Sequence, residues 1–137
     1  MRIFKVPGFA RWARKEKVSD EIVLQAAREV VDGNVEADLG DWLFKKRLAR
    51  PGSGKSGGFR IVVGYRKKDS DRVVFLFGFA KNEASTITDD GHEIFARLAR
   101  SYIEATDEMI KDMVLAGEIL EVKNDEGPGG QDQEGGA

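Results

Sequence analysis

Eleven lysines and arginines fall between Lys45 and Lys81 against two acids, Asp69 and Asp71, a local net of +9 in a chain whose total is −2. Cations at this density suit one chemistry: they hold phosphates, and they offset charge that builds on a phosphate under attack. Lys45 and Arg47 are two residues apart, so in a strand they share a face at a spacing of roughly 7 Å. Arg60 alternates with Phe59 and Ile61, which places it on the face opposite them with its head expected to be exposed. Apolar stretches separate the basic residues and read as sheet interior, so the charge belongs to a folded surface.

Other chemistries fit less well. Residues 49–56, ARPGSGKS, match a relaxed phosphate-binding loop with Ala in the first position. Such a loop works by leading from a strand into a helix whose N-terminal amides hold phosphate. Here Gly57-Gly58 and then a strand follow, and the apolar run VVFLFGFA carries no Asp for Mg²⁺. The stretch reads instead as a Gly-rich hairpin loop presenting Lys55. His92 sits beside Asp89, Asp90 and Glu93, where a surface histidine at a helix start outweighs a general acid or base. Trp12 and Trp42 have the rings to stack on bases, yet core packing is the commoner use of tryptophan. The run Arg66-Lys67-Lys68 leads into a turn, and Lys67 and Lys68 are discounted as solvated charge. There is no Cys, which excludes disulfides, thiol chemistry and Cys-based zinc sites, and the single His excludes a His-rich metal site.

The elements that must position these cations are legible in the pattern. Ile3–Val6 reads as a short strand, and Pro7 suits the first turn of a helix through Lys15. Ser19 is a helix N-cap with Asp20 and Glu21 behind it. Ile22, Ala26 and Val30, with Val23, Ala27 and Val31, then form a helical stripe that ends at Gly33-Asn34. The two helices are expected to pack as an antiparallel pair on a sheet. Trp42, Phe44, Lys46 and Leu48 alternate with Leu43, Lys45, Arg47 and Ala49 as a strand. Phe59–Tyr65 is a second, Lys68–Asp71 a tight turn, and Val73–Ala80, apolar on both faces, a central strand. Asp89–Ile103 is a helix with Ile94, Phe95, Leu98, Ala99 and Tyr102 on its buried side. Thr106 caps a last helix closed by Gly117, and Ile119–Val122 forms a final strand.

At 137 residues the length suits one domain. It is expected over 1–123, followed by an acidic, Gly-rich tail, 124–137, without large apolar residues and expected to be disordered. Residues 1–81 carry eighteen basic and ten acidic side chains, and residues 82–137 carry four and fourteen. A basic body with an acidic C-terminal part suggests contact with nucleic acid. No apolar run approaches the ~20 residues of a membrane helix, and the N-terminus lacks the apolar core of a signal peptide. A cytoplasmic protein without membrane contact is expected.

Three stretches carry a family resemblance. FKKRLARPGSGKSGGFRIVV looks like a basic strand, a Gly-rich loop and a Gly-aromatic-Arg strand start. VVFLFGFAKNEAS is similar to an apolar central strand ending in Lys-polar-Glu. LARSYIEATDEMIKDMVLAGEILEV resembles the C-terminal helices that follow. In this order, over about residues 1–122, they resemble the RelE/ParE superfamily of toxin–antitoxin toxins, most closely its RelE/HigB-like branch.

The resemblance implies an α+β fold: a small curved, mostly antiparallel sheet with the N-terminal helix pair on one face and helices at the C-terminus. It implies a ribosome-associated mRNA endonuclease, neutralised by a cognate antitoxin, that uses neither metal nor cofactor because the substrate's own 2′-OH attacks the adjacent phosphate. On matching positions the catalytic set is Lys45, Arg47, Arg60 and Lys81, with Arg60 and Lys81 as charge stabilisers and Lys45 or a neighbour in proton transfer. Lys46, Arg50, Lys55 and Asn82 are the implied RNA contacts. Relatives often carry Arg where Asn82 stands, and Thr88 stands where some have a basic Tyr, so the general base is open. The alternative is a toxin-fold binding protein that poisons gyrase or holds RNA without cutting it.

Overall fold

A computed structural model of the chain describes residues 1–49, 58–68, 70–81 and 88–124. Arg50, Lys55, Asn82, most of the Gly-rich loop and nearly all of the acidic tail lie outside these residues. The order of elements is β1 (Arg2–Lys5), α1 (Pro7–Lys15), α2 (Asp20–Val31), β2 (Ala37–Gly40), β3 (Leu43–Leu48), β4 (Phe59–Tyr65), β5 (Arg72–Ala80), α3 (Asp89–Glu104), α4 (Asp107–Leu115) and β6 (Leu120–Val122). The strands form one open sheet in the order β2-β3-β4-β5-β1-β6. The pair β1–β5 is parallel and the other four are antiparallel. This is the expected α+β, mostly antiparallel architecture.

Local chemistry sets the helix ends. Pro7 opens α1. Ser19, Thr88 and Thr106 accept amide hydrogen bonds at the starts of α2, α3 and α4, each with two acids in the first turn, favourable at the positive end of a helix dipole. The C-terminus of α3 is closed from the sheet: Arg72 Nη1 donates to the carbonyls of Tyr102 (2.8 Å), Ile103 (3.3 Å) and Ala105 (2.6 Å), while Nη2 meets Asp107 Oδ1 at 2.7 Å. One buried guanidinium thus satisfies carbonyls that a helix end leaves without partners.

Register assigns the two sheet faces. On the first, Phe59, Ile61 and Val63 of β4 stand beside Gly78 and Phe75 of β5. Here α1 packs: the Trp12 ring lies edge-on to Phe59 at 4.9 Å, and Phe9 meets Phe75 at 5.4 Å. A Cβ added at Gly78 would fall inside the Trp12 ring, so the helix sits this close because that position has no side chain. Trp12 is therefore packing and not a platform for bases. On the second face α3 lies over Gly64, where an added Cβ would come within 2.9 Å of Ala99 Cβ.

Three expectations need correction. Residues 37–40 form a strand, β2, which the pattern did not suggest. Trp42 does not begin β3 but sits with Asp41 in the β2–β3 turn, at φ of 65° and 55°, so the alternation starts at Leu43. Ile94 was expected on the buried side of α3 and is 54% exposed, because α3 covers only part of the second face.

Candidate functional site

The second face gathers the basic residues in two adjacent rows. Lys45 of β3 pairs in register with Val62 of β4, which pairs with Phe77 of β5. In the next row Arg47 pairs with Arg60, which pairs with Phe79. Lys81 follows Phe79 by two residues just beyond β5, and its amide donates to the carbonyl of Gly58 at 2.9 Å. The antiparallel ladder therefore brings Arg47, Arg60 and Lys81 to one end of the central strands, although 34 residues separate the first from the last.

Their environments differ. Arg47 and Lys81 are exposed, and Lys45 is half-buried. The Arg60 side chain is only 13% exposed, and its Nε donates to Glu36 Oε1 at 2.8 Å. An exposed Arg60 head was expected from alternation alone. The correction comes from Glu36, which precedes β2 and whose amide donates to the carbonyl of Lys45 at 2.8 Å. The site thus contains a carboxylate that the sequence reading did not find. Its only sequence signal was an acid just ahead of a strand not yet recognised.

Lys46 leaves the RNA-contacting set. It is 6% exposed, on the first face, with Nζ 2.8 Å from Glu29 Oε1 of α2. The Lys46 ammonium first, and the Gln25 amide second, hold the Glu29 carboxyl below its ordinary 4.5. Arg72 is likewise committed to the end of α3. The basic count of residues 45–81 therefore overstates the charge facing solvent. Arg50, Lys55 and Asn82 are outside the described residues.

A second feature lies at the other end of the strands, five residues along β4 from Arg60 and so roughly 17 Å away. Arg66 and Arg100 lie over the Trp42 ring at 4.9 and 4.5 Å from its centroid. A pocket of about 480 Å³ beside it is lined by Asp38, Asp41, Trp42, Tyr65, Arg66 and Lys67, among others. His92 Nε2 lies 3.0 Å from Asp41 Oδ2, tying the start of α3 to the β2–β3 turn. His92 thus braces the fold and is remote from Arg60. No cluster of potential metal ligands occurs among the described residues, and none of their helices is long and apolar enough to cross a membrane.

The ladder thus places Arg47, Arg60 and Lys81 at one end of the sheet, with the Glu36 carboxylate paired to Arg60. The family model described as RelE toxin of RelE / RelB toxin-antitoxin system matches residues 1–122 of the chain. No curated protein matches the chain.

Proposed function

The chain belongs to the RelE toxin family, and from that premise we propose that it is an endoribonuclease that cleaves mRNA on the ribosome and is held inactive by a cognate antitoxin. The observation that carries this reading is the convergence of Arg47, Arg60 and Lys81 at one end of one sheet face. Three cations at one end of one sheet face suit a phosphodiester whose charge rises during reaction.

The reaction needs no side-chain nucleophile. The ribose 2′-oxygen forms a bond to phosphorus, the bond from phosphorus to the 5′-oxygen breaks, and a cyclic phosphate and a free 5′-hydroxyl result. Arg60 and Lys81 stabilise the crowded, more highly charged phosphate, and Arg47 holds the neighbouring backbone. The 2′ proton must pass to a base, and the departing 5′-oxygen must receive one. Lys45, one row away on the same face, is the candidate for proton transfer.

Incubating purified protein with ribosomes stalled on a defined mRNA, in a buffer whose Mg²⁺ keeps those ribosomes intact, tests this. Cleavage giving 2′,3′-cyclic phosphate ends, lost in Arg60→Ala, supports it. Intact mRNA under conditions where the protein binds ribosomes favours the non-cleaving binding protein. DNA gyrase trapped on cut DNA favours a gyrase poison. The Glu36–Arg60 pair keeps the binding reading in play, because one central cation is already partnered in the free chain.

A further inference from the structure

Phe77 is the most exposed aromatic side chain among the described residues. It lies in β5, the strand between β4 and β1, and is 41% exposed while Leu76 is 3% and Phe79 5% exposed. Leaving such a ring in water forgoes part of the stabilisation that burial contributes. The ring is not loose: its centroid is 5.7 Å from that of Phe79 and 5.3 Å from that of Phe95 on α3, with interplanar angles of 33° and 31°. Two rings beneath and beside it fix its orientation and leave it presented on the second face.

That face is the one that carries the cations. Phe77 ends the row Lys45–Val62–Phe77, and the adjoining row is Arg47–Arg60–Phe79. Phe77, Phe79 and Lys81 follow one another at every second residue, so the ring is followed, along one side of the strand, by the end where Arg60 and Lys81 meet. An aromatic plane one row from a guanidinium matches a nucleotide, whose base has a π-face and whose linkage carries the phosphate. A protein partner would use a contiguous apolar patch of several hundred Å², whereas here the exposed ring stands one row from the Arg47–Arg60 pair.

We propose that Phe77 is a stacking platform for one nucleobase of single-stranded RNA, setting that base beside the phosphate held at Arg60 and Lys81. This rests on the RNA-cleaving reading above. It adds a base-binding subsite whose contact is with a π-face and so tolerates sequence, with purines favoured for their larger stacking area.

The test uses fluorescence anisotropy with short single-stranded RNAs whose riboses are 2′-O-methylated, so that internal attack is blocked. Phe77→Leu keeps an apolar side chain and removes the π-face. It should weaken binding roughly tenfold, within the range that stacking on one base supplies, without changing the dependence on salt, and Phe77→Trp should retain it. An abasic substitution scanned along the RNA should find one position where wild-type protein loses a similar factor, and at that position Phe77→Leu should cost nothing more. Wild-type binding that no abasic substitution weakens overturns the proposal without recourse to any variant. So does Phe77→Leu protein of native melting temperature that binds RNA like wild type, including the case where it loses only the antitoxin. In both outcomes the RNA reading stands. Absence of any RNA affinity in the wild-type chain overturns both.

Discussion

Arg60 Nε and Glu36 Oε1 lie 2.8 Å apart, joining β4 to the residue ahead of β2 across the whole width of β3. Both side chains are mostly sheltered, at 13% and 28% exposure. The carboxylate takes the Nε donor of Arg60. A phosphate bound at Arg60, as proposed, would have to displace Glu36 or share the guanidinium with it.

Removing that competitor should strengthen RNA binding. Glu36→Gln is expected to raise affinity for a 2′-O-methylated RNA several-fold at low ionic strength, and the gain should shrink as salt rises. Arg60→Lys retains the charge but loses the guanidinium fork, so it should bind RNA yet cleave it far more slowly. Affinity unchanged in folded Glu36→Gln protein at low salt would mean that phosphate does not meet Arg60.

The period-two pattern of the basic strand put Lys46 on the face opposite Lys45 and Arg47, because register follows alternation, yet Lys46 was still expected to contact RNA. Alternation was not enough to show which cations remain available. Arg72 and Lys46 look like surface charge in the sequence, and each is consumed by the fold, one by the carbonyls of Tyr102, Ile103 and Ala105 and the other by Glu29. Partners 17 or 30 residues away leave no local trace. β2 was missed because Ala37-Asp38-Leu39-Gly40 has no β-branched residue. Its two-residue turn places Asp41 and Trp42 at positive φ, where Gly or Asn would have signalled a hairpin. Capping residues, by contrast, act on amides within their own turn, so Ser19 and Thr106 were legible.

The contrast between neighbours on β3 can be measured. Arg47→Ala should lower RNA affinity and reduce the slope of log affinity against log salt by about 1, the loss of one phosphate contact. Lys46→Met should leave that slope unchanged and alter stability instead, since its ammonium faces α2. A fall in salt slope for folded Lys46→Met would show that Lys46 reaches RNA.

Gly78→Ala should destabilise the fold by about 1–3 kcal/mol, the usual cost of overfilling a packed interior. The added methyl group meets the rigid Trp12 ring and not the end of a flexible chain. The double variant Gly78→Ala with Trp12→Leu should recover part of the loss in urea denaturation. If the two losses simply add, α1 does not set the need for glycine there.

Arg72 lies inside the basic segment yet serves structure. Arg72→Met should lower the melting temperature, because the Tyr102, Ile103 and Ala105 carbonyls lose their donor and Asp107 its ion pair. Losing a charged hydrogen-bonding group of this kind costs about 2–3 kcal/mol. RNA affinity, measured well below the melting temperature, should be unchanged. A large loss of affinity in still-folded protein would place Arg72 on the RNA path.

Acid should loosen the contact between α2 and β3. The Glu29 carboxyl is held below its ordinary 4.5 by Lys46 and Gln25. A carboxyl depressed in the folded chain binds fewer protons there than in the unfolded chain, so its stabilisation is present above its unfolded value and is lost as pH falls through the lower folded value. Stability measured by urea denaturation should therefore decline as pH is lowered from about 5 toward 3, and Glu29→Gln should remove part of that decline. At neutral pH the same substitution should cost about 1–2 kcal/mol, a modest figure because Glu29 is one-third exposed and solvent screens the pair. What remains is a largely buried Lys46 ammonium with an amide in place of a carboxylate. A pH profile in Glu29→Gln protein that overlays the wild type would show that the acid sensitivity arises elsewhere and that the Lys46–Glu29 pair contributes nothing to holding α2 on the sheet.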